Sequence, residues 1–213
     1  MALRVAAGEP LPMTAEQLRI RGHALEARIY AEDPDRGFPP STGKLVHLAP
    51  PAESPHVRVD TGVEQGDEIT PFYDPMIAKL IVWDETRDLA LARMLQALAQ
   101  YRIVGAGNNV EFLARLTASP AFAQADLDTG LIERERAFLF PGKSEPPDQA
   151  YLAAALATLL REDAEASRVE ATAIRIRRGG TDGWRLNSSS VRSLVFRHGE
   201  TERTVTVGHG GAG

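Results

Sequence analysis

The fold of this chain is constrained most by a stretch near its start, residues 22–34, in which polar and apolar side chains alternate. One alternating set is mostly apolar and consists of His23, Leu25, Ala27, Ile29 and Ala31. The other set is polar apart from its first member and consists of Ala24, Glu26, Arg28, Tyr30 and Glu32. A period of two predicts a half-buried β-strand, and Pro34 ends it because proline cannot donate a ladder hydrogen bond.

The polar face of this strand places the Arg28 guanidinium between two carboxylates and beside a phenol. Charged residues spaced by two on a sheet face are commonly solvated or paired with their neighbours. A guanidinium is also planar and permanently charged, so an arginine held in this way can orient an anion. From the residues alone, both interpretations of Arg28 stand.

Length and composition narrow the class of protein. At 213 residues, of which 43% are hydrophobic, the chain is long enough to bury a core. A net charge of −5 without a long basic run argues against nucleic-acid binding, and the absence of cysteine excludes disulfides and thiolate nucleophiles. The five histidines show no metal-ligand spacing, and there is neither a signal-peptide core nor a run of about 18 apolar residues. We therefore expect a cytoplasmic protein that binds no metal, no nucleic acid and no membrane.

Periodicity predicts a mixture of strands and helices in the first two thirds of the chain. Strands are expected at residues 44–48, 56–63, 67–70, 77–83 and 101–104. A first helix is predicted by an apolar stripe of Leu91, Met94, Leu95 and Leu98. A second helix has Asn108 or Asn109 as its N-cap and ends at Ser119, and a third follows residues 128–130.

Residues 71–75, Pro-Phe-Tyr-Asp-Pro, form a loop with a proline at each end. Proline restricts both itself and the residue before it, so this loop can hold Tyr73 and Asp74 in a fixed place. Alternatively, it is a packed loop in which Phe72 and Tyr73 fill core space.

The clearest boundary in the chain is residues 140–147, Phe-Pro-Gly-Lys-Ser-Glu-Pro-Pro. Beyond it, an alanine-rich segment predicts a helix from Pro147 to about Ser167. Further strands are expected at residues 171–178, 184–186, 191–197 and 203–207, with a turn at 198–200. Two domains are therefore predicted, residues 1–142 and residues 147–213, and the second is expected to be incomplete.

Motifs for common chemistry are missing from the sequence. The chain contains neither of the two usual phosphate-binding loops, Gly-x-x-x-x-Gly-Lys or a strand followed by Gly-x-Gly-x-x-Gly. It has no Gly-x-Ser-x-Gly nucleophile elbow. Motifs alone therefore predict an α+β domain with an unusual charged strand rather than an enzyme.

Four separated blocks of the sequence resemble the C-terminal domain of biotin carboxylase. They are residues 3–11 (Leu-Arg-Val-Ala-Ala-Gly-Glu-Pro-Leu), the strand segment 21–34, residues 38–43 (Phe-Pro-Pro-Ser-Thr-Gly) and residues 73–80 (Tyr-Asp-Pro-Met-Ile-Ala-Lys-Leu). Their order and spacing agree with that family over about residues 3–140. The resemblance implies an α+β fold, mainly an antiparallel sheet with packed helices.

Other segments resemble one branch of that family, the biotin-bearing alpha subunits of acyl-CoA carboxylases. Residues 101–105, 109–113 and 126–133 look most like the 3-methylcrotonyl-CoA carboxylases, with the propionyl-, geranyl- and acetyl-CoA carboxylases as open alternatives. Residues 182–187, Asp-Gly-Trp-Arg-Leu-Asn, resemble the start of the domain that docks the beta subunit. In that domain a β-barrel wraps a helix, so residues 147–213 are expected to be a helix and the first strands of such a barrel.

The resemblance implies ATP-dependent carboxylation of biotin N1 with bicarbonate, with biotin and ATP plus Mg or Mn as cofactors of the intact subunit. Arg28 matches the biotin-side arginine of the family, which orients the ureido group and stabilises the enolate formed when N1 loses its proton. Arg58 and Asp74 match positions at the dimer interface, and Thr129 aligns with a position near the adenine. No metal ligand is expected among these residues.

In the family, the pre-ATP-grasp and ATP-grasp segments come before these residues, and the biotinyl-lysine motif Ala-Met-Lys-Met comes after them. We therefore expect a fragment that binds no cofactor by itself and is inactive alone. The implied partners are the N-terminal, ATP-grasp and biotin carrier domains of the same subunit, the carboxyltransferase beta subunit and a second copy of the chain. A rival interpretation is a structural module that dimerises through residues 56–83 and docks a subunit through residues 147–213.

Overall fold

The computed structural model describes residues 2–142, 145–172, 190–198 and 201–209. The chain divides into two compact units, Met1–Pro141 and Gly142–Gly213. The elements of the first unit are α1 (Ala2–Ala6), β1 (His23–Tyr30), β2 (Gly43–Lys44), β3 (His47–Ala49), β4 (Val57–Thr61), β5 (Glu68–Ile69), β6 (Met76–Asp84), α2 (Arg87–Gln100), β7 (Arg102–Val104), α3 (Val110–Ala118), α4 (Pro120–Ala123), α5 (Leu131–Arg134) and α6 (Arg136–Leu139). Short 3-10 helices span Ala15–Gln17 and Pro34–Arg36. The second unit contains α7 (Asp148–Thr172), β8 (Ser190–His198) and β9 (Thr201–His209).

A three-stranded antiparallel sheet in the order β1-β6-β4 forms the centre of the first unit. The alternation predicted for β1 is confirmed, because Ala27 and Ile29 are buried while Glu26 and Arg28 are exposed. The central strand β6 is buried along most of its length. The sheet therefore has one face in the core and one polar face that carries the charges of β1.

Helix α2 covers the buried face of this sheet. It begins after Thr86, whose hydroxyl accepts a hydrogen bond from the Leu89 N–H over 3.3 Å. The predicted apolar stripe faces inward, since Met94 and Leu98 are 2% and 1% exposed and join the residues of β1 and β6 in one core cluster. Burial of this stripe stabilises the helix far more than its own backbone propensity does.

The single strand predicted at residues 44–48 is wrong. The structure has two short strands there, β2 paired with β5 and β3 paired with β7. Between them Leu45 is fully buried, and its N–H donates to the Asp67 carbonyl over 2.8 Å. The chain therefore passes from the β2–β5 ladder to the β3–β7 ladder at Leu45. The backbone of Gly105 packs closely against the residues on either side of Leu45.

The third predicted helix also divides into two short helices, α5 and α6. They meet at Glu135, which has φ −93° and ψ 12°. Leu131 and Leu139 point into the unit, with exposed fractions of 6% and 0%. Each short helix thus contributes one buried leucine to the packing of the unit.

The second unit is a long helix and a β-hairpin. β8 and β9 pair in antiparallel register from Ser190–His209 to His198–Thr201. The predicted helix extends to Thr172, so residues 171–172 are helical rather than the start of the strand predicted at 171–178. The rest of that strand, the strand predicted at 184–186 and residues 199–200 of the predicted turn lie outside the described residues. A β-barrel stays a prediction. Among the helices that are described, none is long and apolar enough to cross a membrane.

Candidate functional site on the charged face of the sheet

Arg28 lies in the middle of the exposed face of β1, together with Glu26 and Tyr30. Its side chain is 62% exposed, and its Nε donates a hydrogen bond to Oε1 of Glu26 over 3.3 Å. The Glu26 carboxylate, followed by the Tyr30 hydroxyl, raises the pKa of the guanidinium above its usual value. Arg28 is therefore a permanent cation that is open to solvent.

The register of the sheet places other charges beside Arg28. Lys79 on β6 is opposite Arg28, and Asp60 on β4 is opposite Lys79, so the three residues form a row across one face. Asp60 lies 3.8 Å from the Lys79 ammonium and accepts hydrogen bonds from Arg58 Nε at 2.7 Å and Nη2 at 3.0 Å. Arg58 holds the pKa of this carboxyl below its usual range, with a smaller contribution from Lys79. Arg28 and Lys79 are thus cross-strand neighbours of like charge, and each has a carboxylate within 4.0 Å on the same face.

Arg58 occupies the same face of the sheet as Arg28 but lies on β4, two strands away. Its side chain is 70% exposed and is oriented by the two bonds to Asp60. The structure therefore brings both predicted arginines to one surface without placing them in contact through the sheet register.

The proline-flanked loop 71–75 leads into β6 and lies at the end of β1, because the Ala31 N–H donates to its last carbonyl over 2.9 Å. The Asp74 carboxylate accepts the backbone N–H two residues further on at 3.0 Å. Phe72 and Tyr73 are 92% and 85% exposed, so the interpretation in which they fill core space is wrong. The loop instead presents two aromatic rings and a carboxylate near the charged face.

Thr129 is exposed in the loop that precedes α5. Its neighbour Asp128 organises that loop by accepting the Gly130 N–H at 2.9 Å and a bond from Arg134 Nη1 at 2.7 Å. The ion pair with Arg134 lowers the pKa of Asp128. Thr129 therefore belongs to a separate loop of the first unit rather than to the charged face of the sheet.

Asn109, considered above only as a helix cap, contacts β1 directly. It is 4% exposed, and its side-chain amide bonds the Tyr30 N–H at 3.0 Å and the Arg28 carbonyl at 3.2 Å. Asn109 is the N-cap residue of α3 but makes no side-chain cap bond, and Oδ1 of the neighbouring Asn108 accepts the Val110 N–H at 3.3 Å. The signal in the sequence is the Asn-Asn pair, which contains one more amide than a single N-cap needs.

Within the described part of the chain, no group of three or more His, Cys, Asp or Glu side chains is arranged to hold a metal ion. The chemistry that the charged face offers is electrostatic. Two cations on neighbouring strands of a sheet can bind and orient a small anion or a polar carbonyl oxygen.

The sequence of this chain matches a known protein family and several known proteins. The family model described as the biotin carboxylase C-terminal domain matches residues 26–134. The chain is 42% identical over 213 residues to the mitochondrial methylcrotonoyl-CoA carboxylase subunit alpha of Dictyostelium discoideum, covering 99% of this chain and 30% of that protein. It is 41% identical over 207 residues to the corresponding mouse protein, covering 96% and 29%. The propionyl-CoA carboxylase alpha chain of Ruegeria pomeroyi is 40% identical over 185 residues, covering 78% and 27%.

Solved structures resemble the chain in the same way. The biotin carboxylase domain of the 2-oxoglutarate carboxylase from Hydrogenobacter thermophilus, in complex with MgADP, ADP and bicarbonate, matches with a TM-score of 0.63 and 36% identity, over 67% of this chain and 31% of that one. The biotin carboxylase subunit of a pyruvate carboxylase matches with a TM-score of 0.63 and 35% identity, over 68% and 31%. The chain spans 30% of the length of the Dictyostelium relative.

Proposed function

Because the chain belongs to the biotin carboxylase C-terminal domain family, we propose that it forms the biotin side of a site for ATP-dependent carboxylation of biotin with bicarbonate. The observation that carries this proposal is the exposed Arg28 guanidinium, which is paired in register with Lys79 on the open face of the sheet. Arg28 is the residue to which we assign a direct role in the reaction.

The charge of Arg28 suits the chemistry of this reaction. Biotin supplies the nitrogen atom that accepts the carboxyl group. Arg28 would donate hydrogen bonds to the ureido oxygen, and these bonds strengthen as negative charge develops there in the transition state. Because a guanidinium stays protonated at physiological pH, Arg28 serves as a fixed electrostatic partner rather than as an acid. Lys79 adds a second positive charge that attracts the anionic reactants.

The rest of the reaction is assigned to the intact subunit. A relative is described in complex with MgADP and bicarbonate, so ATP with Mg or Mn, together with biotin, belongs in our proposal to the complete enzyme. Similarity to methylcrotonoyl-CoA carboxylase alpha subunits supports 3-methylcrotonyl-CoA as the final acceptor of the carboxyl group. The proposed partners are the ATP-grasp and biotin carrier domains of that subunit and a carboxyltransferase beta subunit.

We also assign roles to three further residues, from the resemblance of their sequence positions to the family. Arg58 and Asp74 are proposed to lie at an interface between two copies of the chain, which their exposure on the first unit permits. Thr129 is proposed to lie on the adenine side of the site. The cytoplasmic location expected from the sequence stays a prediction, and relatives from Dictyostelium and mouse are named as mitochondrial.

A second candidate function is a structural module without a direct role in catalysis. It is favoured by exposed apolar side chains on both units: Phe72 and Tyr73 in the loop 71–75, and Leu152, Leu156 and Leu160 along α7. In this alternative, residues 56–83 support dimerisation and residues 147–213 dock another subunit. Both functions can coexist, so the question is whether Arg28 acts in the chemistry.

Substitution of Arg28 in the intact subunit separates the two functions. We expect Arg28→Ala to lower kcat for biotin carboxylation by about a hundredfold to a thousandfold, as removal of one preorganised donor commonly does. Arg28→Lys should lose less, because lysine keeps the charge but lacks the planar fork. The matched control is Arg36→Ala, which removes another exposed guanidinium, 79% exposed and 3.4 Å from Asp33.

Steady-state assays and size-exclusion chromatography would be carried out on all three variants. Loss of turnover by Arg28→Ala with normal assembly, beside an active Arg36→Ala, supports the catalytic role. Unchanged turnover of Arg28→Ala with normal assembly would contradict that role and leave the structural module as the better description.

A further inference from the structure

Among the residues that the structure describes, β1 is an edge strand, because the order β1-β6-β4 gives it one neighbouring strand. The backbone groups on its free edge need partners, since an unpaired edge is both costly when buried and open to wrong pairing. At Arg28 and Tyr30 these backbone groups are bonded by a side chain rather than by another strand. The Asn109 side chain accepts the Tyr30 N–H at Oδ1 over 3.0 Å and donates from Nδ2 to the Arg28 carbonyl over 3.2 Å.

The side-chain amide of Asn109 therefore makes the two hydrogen bonds that a peptide group of a neighbouring strand would make. A third bond comes from the backbone, because the Asn109 N–H donates to the Tyr30 carbonyl over 3.2 Å. Three hydrogen bonds thus join the start of α3 to the free edge of β1, at Arg28 and Tyr30.

Burial makes this arrangement specific for an amide. Asn109 is 4% exposed, and its Nδ2 also donates to Oε1 of Glu32 over 2.8 Å. Burial raises the pKa of Glu32, and the bond from Asn109 opposes that rise. An aspartate at position 109 would have the same shape but no donor, so it would face both the Arg28 carbonyl and the Glu32 carboxylate with a negative oxygen.

The Arg28 side chain is itself weakly held, at 62% exposure with a 3.3 Å bond to Glu26. The direction of its guanidinium therefore depends on the backbone from which it projects. We propose that Asn109 is a positioning residue for Arg28, which fixes the β1 backbone so that the guanidinium meets the reacting group. This inference rests on the catalytic role proposed above for Arg28. A misplacement of about 1 Å at a catalytic group can cost about a hundredfold in rate.

A double-mutant cycle in the intact carboxylase subunit tests this role. The variants are Asn109→Asp, Arg28→Ala and the two combined, with Asn108→Asp as the matched control. Asn108 undergoes the same chemical change one residue earlier, and its carboxylate would still accept the Val110 N–H. Asn109→Ala is the milder second variant, because it removes the two side-chain bonds to β1 without adding a charge.

We expect Asn109→Asp to lower kcat for carboxylation of free biotin by about tenfold to a hundredfold. The KM for ATP should stay unchanged, which reports an intact nucleotide site, and Asn108→Asp should behave like the unmodified enzyme. The double variant should be no slower than Arg28→Ala alone, because Asn109 acts through a group that is already gone. Asn109→Ala should show the same lack of additivity with a smaller single effect.

Two results would overturn the inference while leaving the catalytic role of Arg28 in place. One is a double variant whose losses multiply, which would show that Asn109 acts on stability or on another group. The other is full activity of both Asn109 variants. Full activity of Arg28→Ala is a different outcome, because it removes the proposed function itself.

Discussion

Among single residues, Asp84 shows how the sheet is tied to the helix that follows it. It ends β6 with 5% exposure, and its Oδ2 accepts hydrogen bonds from Arg93 on α2, with Nε at 2.7 Å. Its Oδ1 accepts the Glu85 N–H at 2.9 Å. The Glu85 N–H, followed by the Arg93 guanidinium, lowers the pKa of this carboxyl. The charged form of Asp84 is therefore the one that stabilises the fold.

The stability of the chain should depend on pH through this group. Because the pKa of Asp84 is lower in the folded state, its contribution is fully present above about pH 4, the usual value for an unfolded aspartate, and is lost as the pH falls below it. We expect Asp84→Asn to melt at a lower temperature than the unmodified chain at pH 7. The difference should shrink toward pH 3.

Thermal unfolding followed by circular dichroism at several pH values measures this effect. The matched control is Glu85→Gln, which neutralises the exposed neighbour of Asp84. An Asp84→Asn variant that keeps the pH slope of the unmodified chain would contradict the assignment.

The sequence predicts the position of some side chains but not the contacts of others. Arg28 was predicted on the polar face because a strand has a fixed period of two, and the structure agrees. Asn109 was not connected to that strand, because its partners Tyr30 and Arg28 lie 79 and 81 residues away. Contacts between side chains and distant backbone depend on the tertiary fold, which local patterns do not contain.

Among helices and strands, the local sequence pattern predicts one strand at residues 44–48 where the structure has two, β2 and β3. The segment 44–48 is apolar enough for one strand, but the close approach of another loop divides it. Gly105 adopts φ +115°, and a Cβ added to it would overlap the Lys44 carbonyl oxygen and crowd the Val46 nitrogen. The absence of a side chain at Gly105 therefore permits the two ladders to meet.

Gly105→Ala should destabilise the chain substantially. The variant combines a strained left-handed backbone with an overlap against backbone atoms that cannot rotate away, which together correspond to about 3 kcal/mol. Gly62→Ala is the matched control, since a Cβ at Gly62 meets nothing within 4 Å. Urea unfolding would measure both variants, and equal midpoints for the two would show that the passage from β2 to β3 is not constrained in this way.

Helix α7 of the second unit has one buried and one exposed apolar face. Tyr151 and Ala155 on α7 are 7% and 3% exposed, and the Tyr151 ring lies 6.5 Å from the ring of Phe196 on β8. A second stripe on the same helix, Leu152, Leu156 and Leu160, stays between 58% and 61% exposed. The alanine-rich composition predicted the helix correctly, but composition does not reveal which of two apolar faces packs on the hairpin.

Over the whole chain, family membership was predicted from four blocks of sequence and is confirmed by the match over residues 26–134. Such blocks are informative because each contains glycine or proline at defined positions, and three of the four also contain charged residues whose spacing chance rarely reproduces. The sequence predicts the chemistry of the charged face less directly, because this chemistry depends on how strongly the surroundings of Arg28 screen its charge.

That screening leads to a prediction for the 213 residues as one polypeptide. Two unit charges 4 Å apart interact by about 1 kcal/mol in water but by about 4 kcal/mol at an effective dielectric constant of 20. With Arg28 62% exposed, its guanidinium acts close to the first limit, whereas catalysis by fixed charges needs a site that excludes water.

We therefore expect the purified 213-residue polypeptide to release no ADP in a biotin-dependent manner when supplied with ATP, Mg, bicarbonate and free biotin. A complete carboxylase subunit assayed beside it serves as the positive control, and circular dichroism establishes that the polypeptide is folded. Biotin-dependent turnover by the folded 213-residue polypeptide would show that Arg28 and its neighbours need no further domain, and the proposal that these residues form only the biotin side of the site would then be wrong.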